Sequence, residues 1–167
     1  ALRLRAIASQ PGTARLRYGN QRVEALDWQR LPSGADADSV YKNAGVYVIT
    51  GGLGALARLF VENIADHCSH ATVVLTGRSP QTDAVARQVA GLERARTRVI
   101  YRQLDLQDAI AVSALFDDLR ARYGTVNGIF HCAGMIADSL IVNKRSEDFE
   151  ATLQPKVAGL WHLDSAS

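Results

Sequence analysis

From Val46 onward, short runs of Val, Ile and Leu alternate with longer stretches in which apolar residues return every three or four positions. That alternation predicts βαβ crossovers and a parallel sheet. Four runs are nearly continuous in apolar residues, as strands covered on both faces must be: VYVIT (Val46–Thr50), TVVLTG (Thr72–Gly77), RVIYRQL (Arg98–Leu104) and GIFHCA (Gly128–Ala133). The first intervening helix places Leu56, Leu59, Phe60 and Ile64 on one face, toward the sheet. A second spans about Asp83–Arg94. The third runs from about Asp108 to Tyr123, with Val112, Leu115, Phe116 and Leu119 inward and Gly124 as its stop. After Gly134 the pattern predicts a loop, a short helix near Ser146–Leu153, and Pro155 in the first turn of a further helix, where a missing amide costs nothing.

The first 30 residues read differently. LRLRAIA, ARLRYG and QRVEALDW alternate polar and apolar residues, and Gly19-Asn20 supplies a turn, so a small β element is expected there. The stretch LPSGADADSVYKNAG (Leu31–Gly45) is polar and rich in small residues, as a linker is. The expected organisation is therefore a β element over 1–30, a linker over 31–45 and an α/β region over 46–167.

Composition narrows the class without naming a function. A chain of 167 residues that is 47% hydrophobic and 22% charged suits one ordinary soluble domain. The net charge of +2 is mild and the basic residues are scattered, so no nucleic-acid partner is expected. Cys68 and Cys132 are far apart and show no CxxC spacing, which suggests reduced thiols and a cytoplasmic location. No apolar run approaches the roughly 20 residues that span a bilayer, and ALRLRAIASQ has no continuous apolar signal core, so neither membrane insertion nor export is expected. His67-Cys68-Ser69-His70 has no second ligand pair elsewhere, and it reads as a helix end rather than a metal site.

The candidate chemistry sits at the ends of the predicted strands. Gly51, Gly52 and Gly54 follow strand one and precede a helix, so backbone amides at a helix amino terminus are free to meet a phosphate; the alternative is a tight turn that binds nothing. An acidic residue after strand two would favour the ribose hydroxyl of NAD. This chain has Arg78-Ser79 there, a guanidinium beside a hydroxyl, which suits a ribose 2′-phosphate if Arg78 is more than a solvated surface residue. After strand three, Asp105 either accepts from an adenine amino group or caps the third helix. His131-Cys132-Ala133-Gly134 ends strand four with small residues that allow a cofactor close to the backbone.

Taken together, TGGLGALA, LTGRS, LDLQD, HCAG and LQPKVAGLWHLD resemble the ketoreductase domain of a modular polyketide synthase, a branch of the short-chain dehydrogenase/reductase family, over about Tyr41–Asp164. The segment LRYGNQRVEAL is similar to the last strands of the structural subdomain that precedes the catalytic half, especially in synthases whose acyltransferases act in trans. The resemblance implies an α/β fold, a Rossmann-like doubly wound parallel sheet, here incomplete, preceded by that small β element. It also implies reduction of a β-ketone on an acyl carrier protein thioester, with NADPH as hydride source and neighbouring synthase domains as partners. Thr50, Gly51, Gly52, Leu53 and Gly54 would hold the pyrophosphate, Arg78 and Ser79 the 2′-phosphate, and Asp105 with Leu106 the adenine; His131, Cys132, Ala133 and Gly134 would line the cofactor. Lys156, in PKVAG, matches the catalytic lysine, whose implied task is to support proton delivery to the developing alkoxide. Ile136-Ala137-Asp138 falls on the Leu-Asp-Asp motif of reductases that give the D-configured alcohol, and Asp138 is the aspartate kept; otherwise Asp138 would cap a short helical turn.

Two departures stand beside the match. Where the family's glycine run continues as Gly-Leu-Gly, this chain has Ala55-Leu56-Ala57, and each methyl takes space near the pyrophosphate or the helix contact with the sheet. The family's serine and tyrosine, which polarise the ketone and donate its proton, come further along than the 11 residues after Lys156, so a piece of a larger domain is expected. The alternative is a catalytically inactive ketoreductase-like scaffold of a polyketide synthase. A third reading, another short-chain dehydrogenase, would carry Asn in place of His131 and lack the Arg78-Ser79 pair.

Overall fold

All four apolar runs are strands in the computed structural model, which describes residues 16–19, 22–26, 28–29, 40–94 and 96–167. The chain forms two compact units, Ala1–Ala37 and Asp38–Ser167. In the first, β1 (Leu16–Gly19) and β2 (Arg22–Ala25) pair antiparallel, with Gly19 opposite Arg22. The antiparallel pairing expected around Gly19-Asn20 is present, although the turn residues Asn20 and Gln21 lie outside the described residues, and an ion pair between Arg17 and Glu24 bridges a cross-strand pair on its exposed surface. The predicted LRLRAIA segment and most of the predicted linker lie outside the described residues.

The second unit holds β3 (Val46–Thr50), β4 (Ala71–Gly77), β5 (Thr97–Gln103) and β6 (Gly128–His131), all parallel, in the order β5-β4-β3-β6. Between and after them lie α1 (Ala55–His67), α2 (Asp83–Ala90), α3 (Ala109–Tyr123) and α4 (Ser146–Ala166). Successive side chains of a strand point to opposite faces. Tyr47, Ile49, Val73, Leu75, Val99 and Tyr101 accordingly pack with α1 and α2, while Val46, Val48 and Val74 pack with α3 and α4. This two-sided burial is why every residue of β3 is apolar or, in Thr50, internally bonded.

Three local expectations are corrected. The inward face of α1 is Ala57, Val61 and Ile64, with Phe60 half-buried against Phe130; Leu56 and Leu59 are 54% and 59% exposed. Both residue sets satisfy a spacing of three and four, and the small Ala57 lets that side of the helix lie close against the sheet. Helix α2 ends at Ala90, earlier than expected, with Gly91 as its cap. Pro155 does not begin a helix but lies inside the 21-residue α4. Its ring removes one helical donor, at a cost of about 3 kcal/mol for a helix standing alone. Tertiary contacts hold the helix through that break.

Those contacts converge on the carboxyl ends of the strands. The oxygen of the fully buried Thr50 hydroxyl accepts the amides of Cys132 and Ala133, each at 3.1 Å, and pairs with His131 Nδ1 at 2.8 Å. The other ring nitrogen, Nε2, lies 2.9 Å from the carbonyl oxygen of Pro155, which can only accept, so Nε2 carries the proton. Nδ1 is then the acceptor, and the Thr50 hydroxyl donates to it. One hydroxyl thus uses its donor and both acceptor positions to join β3, the end of β6 and α4. Further along α4, His162 Nδ1 donates to the Leu106 carbonyl at 2.7 Å, and Leu163 is buried. A Cβ on Gly159 would come within 3.0 Å of Leu106 Cβ, so glycine allows this close contact.

Two predictions follow from the packing. Thr50→Val keeps the volume but leaves two amides and a ring nitrogen without partners, and it should lower unfolding free energy by about 2–3 kcal/mol, whereas Thr50→Ser should cost far less. Ile64→Ala should cost about 3 kcal/mol and Leu59→Ala no more than about 0.5 kcal/mol. Urea titration of each variant reads both, and equal losses at positions 59 and 64 would contradict the assigned face.

Candidate functional site

In the observed strand order, β3 lies between β4 and β6, and the helix that follows β3 (α1) packs on one face of the sheet while the one that follows β6 (α4) packs on the other. The chain therefore parts at the carboxyl ends of β3 and β6 and leaves a crevice at this switch point. An open cleft of about 130 Å³ lies there. Its boundary runs from Gly51 across Thr76, Gly77 and Arg78 at the end of β4, then along Leu104–Gln107 after β5. Ala133, Gly134 and Met135 close it beyond β6, with Ala151 and Pro155 of α4 above.

The glycine turn is shaped by close approach. Gly51 has φ of +66°, and a Cβ there would sit 2.8 Å from the Cys132 carbonyl oxygen; at Gly52 it would sit 2.5 Å from Leu75 Cβ. Only glycine passes at these points without moving β4 or β6. Gly54 then opens α1 in extended conformation with no side-chain cap, and no acidic residue occupies the first turn. The first amides of α1 are thus left for an outside acceptor, and the helix dipole favours an anion there. Neither departure from the glycine pattern blocks the cleft: Ala57 is buried in the core beneath α1, Ala55 is exposed, and neither lines it. Leu53 and Gly54 face a neighbouring hollow bounded also by Arg58 and Arg87, and the Leu53 carbonyl accepts from Gln88 Nε2.

At the end of β4, Arg78 and Ser79 are exposed and Arg78 reaches the cleft wall. Asp105 also lines the cleft, and its Oδ1 accepts the Gln107 amide at 3.0 Å. The helix-cap alternative for Asp105 is corrected: Asp108 caps α3, its Oδ1 accepting from the amides of Ile110 and Ala111. Two aspartates three residues apart made the assignment ambiguous, and the later one adjoins the helix. Leu106 is buried, with its carbonyl held by His162.

At the end of β6, the His131 ring and the amides of Cys132 and Ala133 are engaged by Thr50 and Pro155; Ala133 lines the cleft, and His131 and Cys132 do not. Burial pushes the Cys132 thiol above its ordinary pKa, which keeps it protonated and unreactive. Gly134 is exposed, and a Cβ on it would lie 3.6 Å from Lys156 Cε, which brings the lysine alongside this end of the cleft. Asp138 is in an exposed stretch that makes no regular structure. It does not cap the following 3₁₀ turn, Ile141–Asn143, which is preceded by Leu140 and has no side-chain cap. Lys144 Nζ steadies the stretch by donating to the Ala137 carbonyl at 2.8 Å.

Residues distant in sequence thus meet around one cleft: Gly51, Arg78, Asp105, Leu106, Ala133 and Gly134, with Lys156 beside it. Gln107, Met135 and Ala151 join them without having been singled out from the sequence, as does Pro155, read there only as a helix start. Gly159, a glycine within a helix, was the available signal that α4 packs tightly here. Among the described residues no group of three or more His, Cys, Asp or Glu could hold a metal, and no helix is long and apolar enough to cross a membrane.

A family model described as the KR domain matches residues 45–167. The polyketide synthase PksL of Bacillus subtilis (strain 168) is 44% identical over 131 residues, which are 78% of this chain and 3% of that protein. PksN of the same organism is 40% identical over 153 residues, 91% of this chain and again 3% of that protein. The crystal structure of a ketoreductase domain from the bacillaene assembly line superposes with a TM-score of 0.82 at 36% identity, covering 99% of this chain and 39% of that one. The chain is therefore a small part of the length of the relatives it matches. Its doubly wound sheet, its switch-point cleft and the match over most of its residues place it in the ketoreductase (KR) domain family of polyketide synthases, within the short-chain dehydrogenase/reductase fold.

Proposed function

We propose that this chain forms the coenzyme-binding part of an NADPH-dependent reductase that converts the β-keto group of an acyl carrier protein-bound polyketide intermediate to a β-hydroxy group. The observation that carries the reading is the convergence of Gly51, Arg78, Asp105 and Gly134 on one switch-point cleft. The cleft and its surroundings suit a dinucleotide: Gly51 leaves room that a Cβ would fill, Arg78 makes no ion pair among the described residues, and the uncapped amino terminus of α1 borders the adjoining hollow.

When bound, NADPH would supply the hydride. The Gly51–Gly54 turn and the first amides of α1 would hold the pyrophosphate, the amides of Gly52 and Gly54 already donating to the Thr76 and Gly51 carbonyls, with Thr50 bracing that turn from below. Arg78 and Ser79 would take the 2′-phosphate, a pairing in which a planar guanidinium makes charge-assisted bonds to phosphate oxygens. Asp105 and Leu106 would receive the adenine, and Gly134 would let the cofactor pass close to the backbone. Lys156, beside Gly134, would support proton delivery to the alkoxide that develops as the ketone is reduced. Asp138 would lie on the substrate side, and its motif points to the D-configured alcohol. The phosphopantetheine-borne acyl chain and neighbouring synthase domains would be its partners in the cytoplasm.

The scaffold alternative drew on Ala55 and Ala57 as well as on the family tyrosine not found after Lys156; of these, the two alanines do not line the cleft. The deciding assay is NADPH oxidation by the full-length protein with a β-ketoacyl pantetheine thioester. Turnover is expected, and Lys156→Ala should lower kcat by about 10²-fold while changing KM for NADPH less than about twofold. Absence of both NADPH binding and turnover would overturn the reductase reading in favour of a scaffold.

A further inference from the structure

Three consecutive carbonyls at the end of β4 are bonded to β5 and the residue after it. Gly77 O accepts from the Leu104 amide at 2.8 Å, Arg78 O from Gln103 Nε2 at 3.1 Å, and Ser79 O from the Tyr101 hydroxyl at 2.8 Å. The first of these extends the β4–β5 ladder beyond its last pair, Gly77 with Gln103. The other two come from side chains, and they hold backbone that has left the sheet and is exposed. Tyr101 is 2% exposed, anchored in the core beneath α1 and α2, and burial raises its phenol pKa, so it remains an O–H donor. A Cβ on Gly77 would stand 3.0 Å from the Tyr101 oxygen, so the glycine leaves room for the phenol to reach Ser79.

An exposed turn would ordinarily satisfy its carbonyls with water and sample several conformations. Here a rigid phenol and a glutamine fix successive peptide planes, while the Arg78 guanidinium and the Ser79 hydroxyl have no bonded partner among the described residues. The bonds therefore consume the acceptors of the turn and leave its two anion-binding side chains unspent. Holding a binding group in place before the ligand arrives lowers the ordering cost paid on binding.

We propose that Tyr101 and Gln103 are positioning residues for coenzyme selection: they hold the Arg78-Ser79 turn ready for the 2′-phosphate, and thereby set the preference for NADPH over NADH. This rests on the assignment of Arg78 and Ser79 to that phosphate. The effect is confined to one phosphate, because neither side chain lines the cleft where the rest of the dinucleotide would lie.

The test measures Kd for NADPH and for NADH by coenzyme fluorescence in the full-length protein and in Tyr101→Phe, Gln103→Leu, the double variant and Arg78→Ala. Each single clamp variant should weaken NADPH about fivefold, as expected for one neutral hydrogen bond, and leave NADH within about twofold. The double variant should weaken NADPH more than either single one. Phenylalanine retains the packing of the buried ring, and thermal unfolding of each apo variant checks that the fold survives. Equal losses for both coenzymes, or no loss for either, with Arg78→Ala still selective against NADPH, would overturn the clamp alone. An Arg78→Ala variant that binds both coenzymes as the parent does would instead overturn the phosphate assignment on which the clamp depends.

Discussion

The hydroxyl of Thr50 is the joint on which the cleft depends. It is buried at the end of the central strand, where an unsatisfied polar group would cost more than the bond itself contributes. Its two acceptor positions fix the chain leaving β6, and its hydrogen fixes the His131 ring, whose opposite edge holds the Pro155 carbonyl. Three segments more than 80 residues apart at their extremes are thereby set in one geometry. Lys156 follows Pro155 directly, so the same chain of bonds that closes the sheet also settles where the lysine emerges.

The cleft follows from topology and from a few tolerances. A parallel sheet whose crossovers reverse direction must open at the reversal, and the glycines determine how near the backbone comes to whatever enters. Gly51 and Gly52 are compelled by contacts with Cys132 and Leu75, and Gly159 by contact with Leu106. These are packing requirements first. Their consequence is close passage of main chain beside β4 and the end of β6, just before a helix with no side-chain cap.

Much of this was legible in the sequence because burial on both faces permits little but apolar residues, so β3 to β6 stand out as runs, and the strand ends carry Gly51, Arg78, Asp105 and Gly134 into view. The inward face of α1 was not legible, since Leu56 and Leu59 satisfy the helical period as well as Val61 and Ile64 do; the sheet chose the face with the small Ala57. Pro155 signals a helix start locally, but bonds from His131 and His162, which no local pattern contains, carry α4 through it. The support of the Arg78-Ser79 turn was equally hidden, because Tyr101 and Gln103 reach it from the neighbouring strand and look from the sequence like ordinary residues of β5.

The departures from the family glycine pattern gain a physical meaning from the same packing. Ala57 contributes its methyl to the core under α1, and Ala55 stands at the exposed start of the helix, whose first turn has no side-chain cap. The most direct measurement is a crystal structure of the full-length reductase domain with NADP⁺. Density is expected with the pyrophosphate on the Gly51–Gly54 turn, the 2′-phosphate against Arg78 and Ser79, and the adenine beside Asp105. A cofactor bound with its 2′-phosphate away from Arg78, or a cleft closed to the cofactor at saturating concentration, would contradict the assignment of this site.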